Sequence, residues 1–132
     1  MANYRQFFKK YYGLEFGNNY QIHHIDFNHE NDDISNLLLL PRWIHKEYHE
    51  AVKDLPRLTN YPLVGTISLR PIGWASADTN YERECIRRFW KALDACRDWV
   101  DYKRYLDGEI PNIHNIRILS DDEWRLLGEK YV

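Results

Sequence analysis

Four of the six histidines in this chain fall into two pairs whose spacing can bring imidazoles to one point. His23 and His24 are adjacent in a strand-like stretch. His45 and His49 stand one helical turn apart downstream, with Asn36 between the pairs. Neutral imidazole is the commonest metal ligand, and its pKa lies close enough to neutrality for proton transfer. One cluster can therefore supply both a metal cage and a general base. At i and i+4 on a helix, His45 and His49 project from one face and can chelate together. Neighbouring strand residues point to opposite faces, so His23 and His24 share a site only where the strand ends and twists into a loop. His23, His45 and His49 then give three nitrogen ligands with positions left open, as expected of a catalytic rather than a closed structural site. A metal that only holds the fold together is the plainer alternative, but such a site has no use for His24. A lone histidine is more often a satisfied core or surface residue than a ligand. The ordered set carries the argument, not any one member.

The elements that must position these residues are legible in outline. Tyr4, Phe7, Phe8, Tyr11 and Tyr12 recur at helical spacing and predict a helix over 3–12, with Gly13 as its terminator. Gly17-Asn18-Asn19 is turn chemistry. A strand is expected over 20–25, a polar irregular loop over 29–35, and a second short strand at Leu37-Leu38-Leu39-Leu40. Pro41 suits the first turn of a helix that runs through Trp43, His45, Tyr48 and His49 to about Val52. Pro56 and Pro62 punctuate a loop, and residues 63–70 read as a further strand. Thr79-Asn80-Tyr81-Glu82 has the form of a capping box. It opens a long helix with Ile86, Phe89, Leu93, Cys96 and Val100 as its apolar stripe. The stripe suits either the core or a homodimer seam, and a single stripe in a small domain favours the core. Gly108 and Pro111 end that helix. Ser120-Asp121-Asp122-Glu123 opens a short last one containing Trp124, Leu126 and Leu127. The fold class is α+β: a ββα core flanked by an N-terminal helix, a long C-terminal helix and a short terminal helix.

At 132 residues, 44% hydrophobic and 15% aromatic, the chain has enough apolar surface for one core and one domain. A mean hydropathy of -0.68 and the lack of a long apolar run argue against a membrane protein. The first residues lack the charged-then-apolar profile of a secretory signal, so a cytoplasmic chain, complete as given, is expected. Cys85 and Cys96 lie roughly 16 Å apart along one predicted helix, too far for a disulfide within it. They read as reduced thiols of a reducing compartment. Without a CxxC pair, a cysteine zinc finger is excluded. The formal net charge of -2 does not by itself advertise a nucleic-acid binder. Charge is uneven, however. Arg5, Lys9 and Lys10 form a basic N-terminal patch, and Asp26, Glu30, Asp32 and Asp33 collect in the loop between the histidine pairs. Arg42 and Lys46 flank the helix histidines and are the best phosphate candidates, although exposed helix charges are as often only solvated. His29 is expected to face solvent, and His114 has no evident partner.

Taken together, Ile22-His23-His24-Ile25-Asp26, Asn36-Leu37, Leu40, His45 and His49 resemble the HNH nucleases, the ββα-metal or His-Me finger superfamily. The likeness covers Tyr20 to about Glu50 and follows the form N-L-x-x-L-x-x-x-x-H-x-x-x-H. It implies a single HNH-type nuclease domain over 1–132: an N-terminal helix and turn (1–19), the ββα-metal motif (20–52) and a mainly helical extension (53–132). By resemblance, His23, His45 and His49 are the metal ligands. His24 is the general base that deprotonates the attacking water, and Asn36 braces the loop that orients it. Where many relatives carry zinc-knuckle cysteines this chain has Pro41 and Ile44, so packing must hold the unit, with Trp43 and Tyr48 as expected supports.

The implied reaction is phosphodiester hydrolysis with one divalent metal ion, leaving 5′-phosphate and 3′-hydroxyl ends. Three imidazoles suit zinc or nickel on softness grounds, whereas the family often uses magnesium or manganese. DNA is the expected partner, with RNA as a second substrate class, in a prokaryotic or phage-encoded setting. Two other readings stand beside this one. The chain can be a nuclease toxin neutralised by an inhibitor protein, or a non-catalytic binding module that keeps the ββα scaffold.

Overall fold

A computed structural model describes residues 3–53, 80–113 and 116–130. Helix α1 (Tyr4–Tyr12) begins where the Asn3 side chain accepts the Gln6 N–H at 3.1 Å. It ends at Gly13, whose φ of 65° is left-handed, a conformation that favours glycine. Strand β1 (Tyr20–His24) pairs antiparallel with β2 (Leu37–Pro41), placing His23 opposite Leu38 and His24 opposite Leu37. A single 3-10 turn (Ile34–Asn36) leads into β2. Helix α2 (Arg42–Lys53) follows directly, then α3 (Asn80–Leu106) and α4 (Asp121–Lys130). The fold is α+β, as the sequence pattern predicts.

Pro41 differs from expectation by one residue. It closes β2 opposite Tyr20 instead of opening the helix, and α2 starts at Arg42, whose N–H donates to the Asn19 carbonyl at 2.7 Å. Phe89, Leu93, Cys96 and Val100 of the predicted α3 stripe are buried, joined by Ala92 and Trp99. Helix α3 packs on α2 and β2, so the stripe serves the core and not a dimer seam. All four residues from Leu37 to Leu40 are buried, because β2 lies between elements on both faces. The expected strand over 63–70, the Thr79 cap, His114 and the side chains of Cys85 and Ile86 lie outside the described residues. At α4, Ser120 and Glu123 form a reciprocal capping box, with the Glu123 N–H donating to Ser120 Oγ (3.2 Å) and the Ser120 N–H to Glu123 Oε1 (3.1 Å).

Two further expectations fail. Trp43 is 55% exposed and is no core support; Ile44 and Tyr48, on the inner face of α2, fill that role. Arg5 is not part of a free basic patch. Its guanidinium donates to the Tyr20 carbonyl (2.7 Å) and the Gly17 carbonyl and lies over Phe16, clamping the turn that leads into β1. Among the described residues no helix is long and apolar enough to cross a membrane.

Candidate metal centre

The end of β1 and the first two turns of α2 bring His23, His45 and His49 together. One ring nitrogen from each lies within 4.8 Å of the others, a group that could hold a metal ion. The ring centroids of His45 and His49 are 5.2 Å from that of His23 and 4.5 Å from each other. Nε2 of His45 and Nε2 of His49 face one another at 3.0 Å. Two imidazole ligands on one tetrahedral zinc-like ion stand about 3.3 Å apart, so this pair is close to a chelating geometry.

His23 supplies the decisive observation. It is 1% exposed, and neither ring nitrogen has a hydrogen-bond partner among the described residues. A buried polar atom without a partner is costly, and nearly all such atoms in folded proteins are satisfied. A cation would satisfy one nitrogen here, and the donor set fits it.

The electrostatics agree. Burial first, and then the neighbouring His45 and His49, hold the His23 pKa well below its ordinary value. Burial and His49 lower that of His45 to about 4. His49 is lowered by burial and by His29. All three rings are therefore neutral near pH 7, the form in which imidazole binds metal. Gln21 refines the set, because its Oε1 lies 2.6 Å from Nδ1 of His45. An amide oxygen only accepts, so Nδ1 carries the proton and the lone pair sits on Nε2, which faces His49.

Phe27 walls the site. Its φ of 62° is left-handed, which is unusual for an aromatic residue. Its ring meets those of His23 at 5.4 Å and His49 at 5.3 Å. Local strain of this kind clusters at functional sites.

His24, one residue on, takes the other side of the strand. It is buried, with its ring edge-on to Tyr4 at 4.8 Å and Nε2 2.9 Å from Asp32 Oδ1. It is not among the converging nitrogens. Asn36 is 93% buried and ties the connecting loop to itself. Its Oδ1 accepts the Asp26 N–H (3.0 Å), and its Nδ2 donates to Asp26 Oδ1 (2.9 Å) and to the Asn31 carbonyl (2.8 Å). Its own carbonyl accepts the Ile25 N–H at 2.9 Å, extending the hairpin past His24. Arg42 and Lys46 are exposed on α2. At about 100° per residue they fall on the helix surface beside His45 and His49. His29 is exposed, as expected, yet its ring centroid is 4.9 Å from that of His24.

Gln21, Phe27 and Asp32 are absent from the sequence-based site. Gln21 was within reach, since strand alternation puts it on the face of His23. Asp32 is one of four acidic residues in its loop, and nothing in the sequence singles it out. No protein-family model, curated protein or solved structure matches the chain.

Proposed function

We propose that this protein is a metal-dependent endonuclease of the ββα-metal type that hydrolyses phosphodiester bonds of DNA. The observation that carries the proposal is the convergence of three neutral imidazoles around the unsatisfied, buried ring of His23, with a fourth histidine next in sequence. The order strand, braced loop, strand, helix supports the finer fold reading, since it presents these residues in the sequence the resemblance requires.

His23, His45 and His49 would hold one divalent ion. When bound, it supplies Lewis-acid stabilisation of the charge that develops on phosphate oxygens. The remaining work belongs to the chain. His24 accepts a proton from the attacking water, whose oxygen forms a bond to phosphorus in line with the departing 3′ oxygen. The P–O3′ bond breaks and the departing oxygen takes a proton from solvent water, leaving a 5′-phosphate and a 3′-hydroxyl. Asn36 keeps the loop and the end of β1 fixed relative to one another while His24 acts. Arg42 and Lys46 bind flanking phosphates, which positions the duplex without reading its sequence.

Plasmid cleavage with magnesium, manganese, zinc or nickel tests this function. Cleavage is expected to need added metal, to stop with chelator, and to fall by about 10²–10⁴-fold in His24→Ala, the usual worth of a general base. Undiminished cutting by His24→Ala would remove His24 from that role. Wild-type protein that cuts no nucleic acid with any of these metals would overturn the function itself.

A further inference from the structure

Asp32 reaches out of the loop that joins the two strands and meets His24, with its Oδ1 2.9 Å from Nε2. The His24 side chain is 2% exposed and that of Asp32 27%. A carboxylate only accepts, so the proton of the neutral ring lies on Nε2 and its lone pair on Nδ1. The Tyr4 ring, edge-on at 4.8 Å, restricts how the imidazole can turn. Asp32 is itself held from both sides. Asn31 donates to Asp26 Oδ2 (3.0 Å), and its carbonyl accepts from Asn36 (2.8 Å). Asp33 caps the 3-10 turn through the Ser35 N–H at 3.0 Å. The Asn36 brace thus extends through Asn31 to the residue that grips His24. Exposed ion pairs contribute little, but this carboxylate contacts a buried ring whose orientation matters.

We propose that Asp32 is a positioning residue for His24, fixing its tautomer and ring orientation so that Nδ1 is the atom that receives the proton from water. This rests on the hydrolytic reading above. It assigns Asp32 a role separate from the other acidic residues of the loop: Asp26 belongs to the Asn36 brace, Asp33 caps the 3-10 turn and Glu30 is exposed.

Two measurements test it. In cleavage by the full chain with manganese, Asp32→Ala is expected to lower kcat by about 10²-fold, with KM changed less than about threefold. Asp32→Glu should recover most of that loss. The double variant His24→Ala/Asp32→Ala should be no slower than His24→Ala alone, because the two residues act as one unit. A further loss in the double variant, or an effect confined to KM, overturns the role. Independently, long-range ¹⁵N–¹H spectra of the metal-free protein read the tautomer, with the His24 signals assigned by their absence in His24→Ala. The proton is expected on Nε2 in wild type and redistributed between the nitrogens in Asp32→Ala. A wild-type proton on Nδ1, or an unchanged Nε2–H in Asp32→Ala, overturns the proposal. If wild type shows no cleavage but the tautomer behaves as expected, the grip of Asp32 on His24 stands and the nuclease reading falls.

Discussion

Two buried polar clusters in this molecule follow opposite rules. Lys103 of α3 is 6% exposed, and its ammonium donates to the Ile34 carbonyl (2.8 Å) and to Tyr12 Oη (3.0 Å). Asp107 lies 3.8 Å away and also accepts from Tyr12. Desolvation lowers the Lys103 pKa while Asp107 opposes the shift, and every element of this strut joining α1, α3 and the 3-10 turn before β2 has a partner. His23 is buried more deeply, and both of its nitrogens lack one among the described residues. Burial penalises both groups, the charged ammonium more heavily than the neutral ring. In the first cluster internal hydrogen bonds offset the penalty; in the second, folding alone does not. A satisfied buried charge is explained by the architecture it links, whereas an unsatisfied imidazole facing two others is explained by what binds it.

The most direct way to break this contrast is His23→Leu. Leucine has a similar volume, and the pocket wall includes Phe27 and Tyr48, whose ring centroids are each 5.4 Å from that of His23. Replacing an unsatisfied buried polar group by an apolar one of like size is neutral or stabilising, here by about 1–3 kcal/mol. The metal-free variant is expected to melt no lower than wild type. Its melting temperature should no longer rise on adding zinc, and calorimetric titration should register no metal binding. A clear loss of metal-free stability would mean that His23 has structural partners and that the contrast is false.

Lys103→Met is the complementary experiment. It leaves the Ile34 carbonyl without its charged donor and Asp107 without its cation. A loss of about 2–3 kcal/mol in urea unfolding is expected, with metal stoichiometry and affinity unchanged. Unaltered stability would show that the strut contributes nothing despite its burial. Weakened metal binding would show that the two clusters are coupled through the 3-10 turn and β2.

The two clusters also differ in how far the sequence disclosed them. The triad was legible because its members lie in local patterns, the i, i+4 pair on α2 and the end of a short strand, brought together by one hairpin. The bracing role of Asn36 came from the family resemblance and not from spacing alone. Lys103 was not legible. It meets Tyr12 across 91 positions and Ile34 across 69, and a lysine in a charged helical stretch looks like any solvated one. Trp43 failed for a related reason: its type predicts burial, but it is exposed on α2, and only tertiary packing decides which helix face is inside. Arg5 looked like surface charge until the turn at Gly17 offered it two carbonyls.

The smallest expected effect separates the clusters by pH. In the metal-free fold the pKa values of His23, His45 and His49 are all depressed, that of His45 to about 4 from an ordinary 6.5. In the unfolded chain the three titrate near 6.5. As pH falls from 6.5 towards 4, the unfolded chain therefore binds more protons than the folded one, and stability drops with it; above about pH 7.5 the term vanishes. Urea-unfolding free energies of metal-free protein should decline over that interval, and the decline should be shallower in His23→Leu, which has one fewer ring to keep neutral. Subtracting the two curves cancels the carboxylates common to both. Lys103→Met should keep the histidine-driven decline between pH 6.5 and 4, because it leaves all three rings in place. Parallel curves for wild type and His23→Leu would mean that the His23 ring is protonated as readily in the fold as outside it, which a buried ring beside two other imidazoles does not allow.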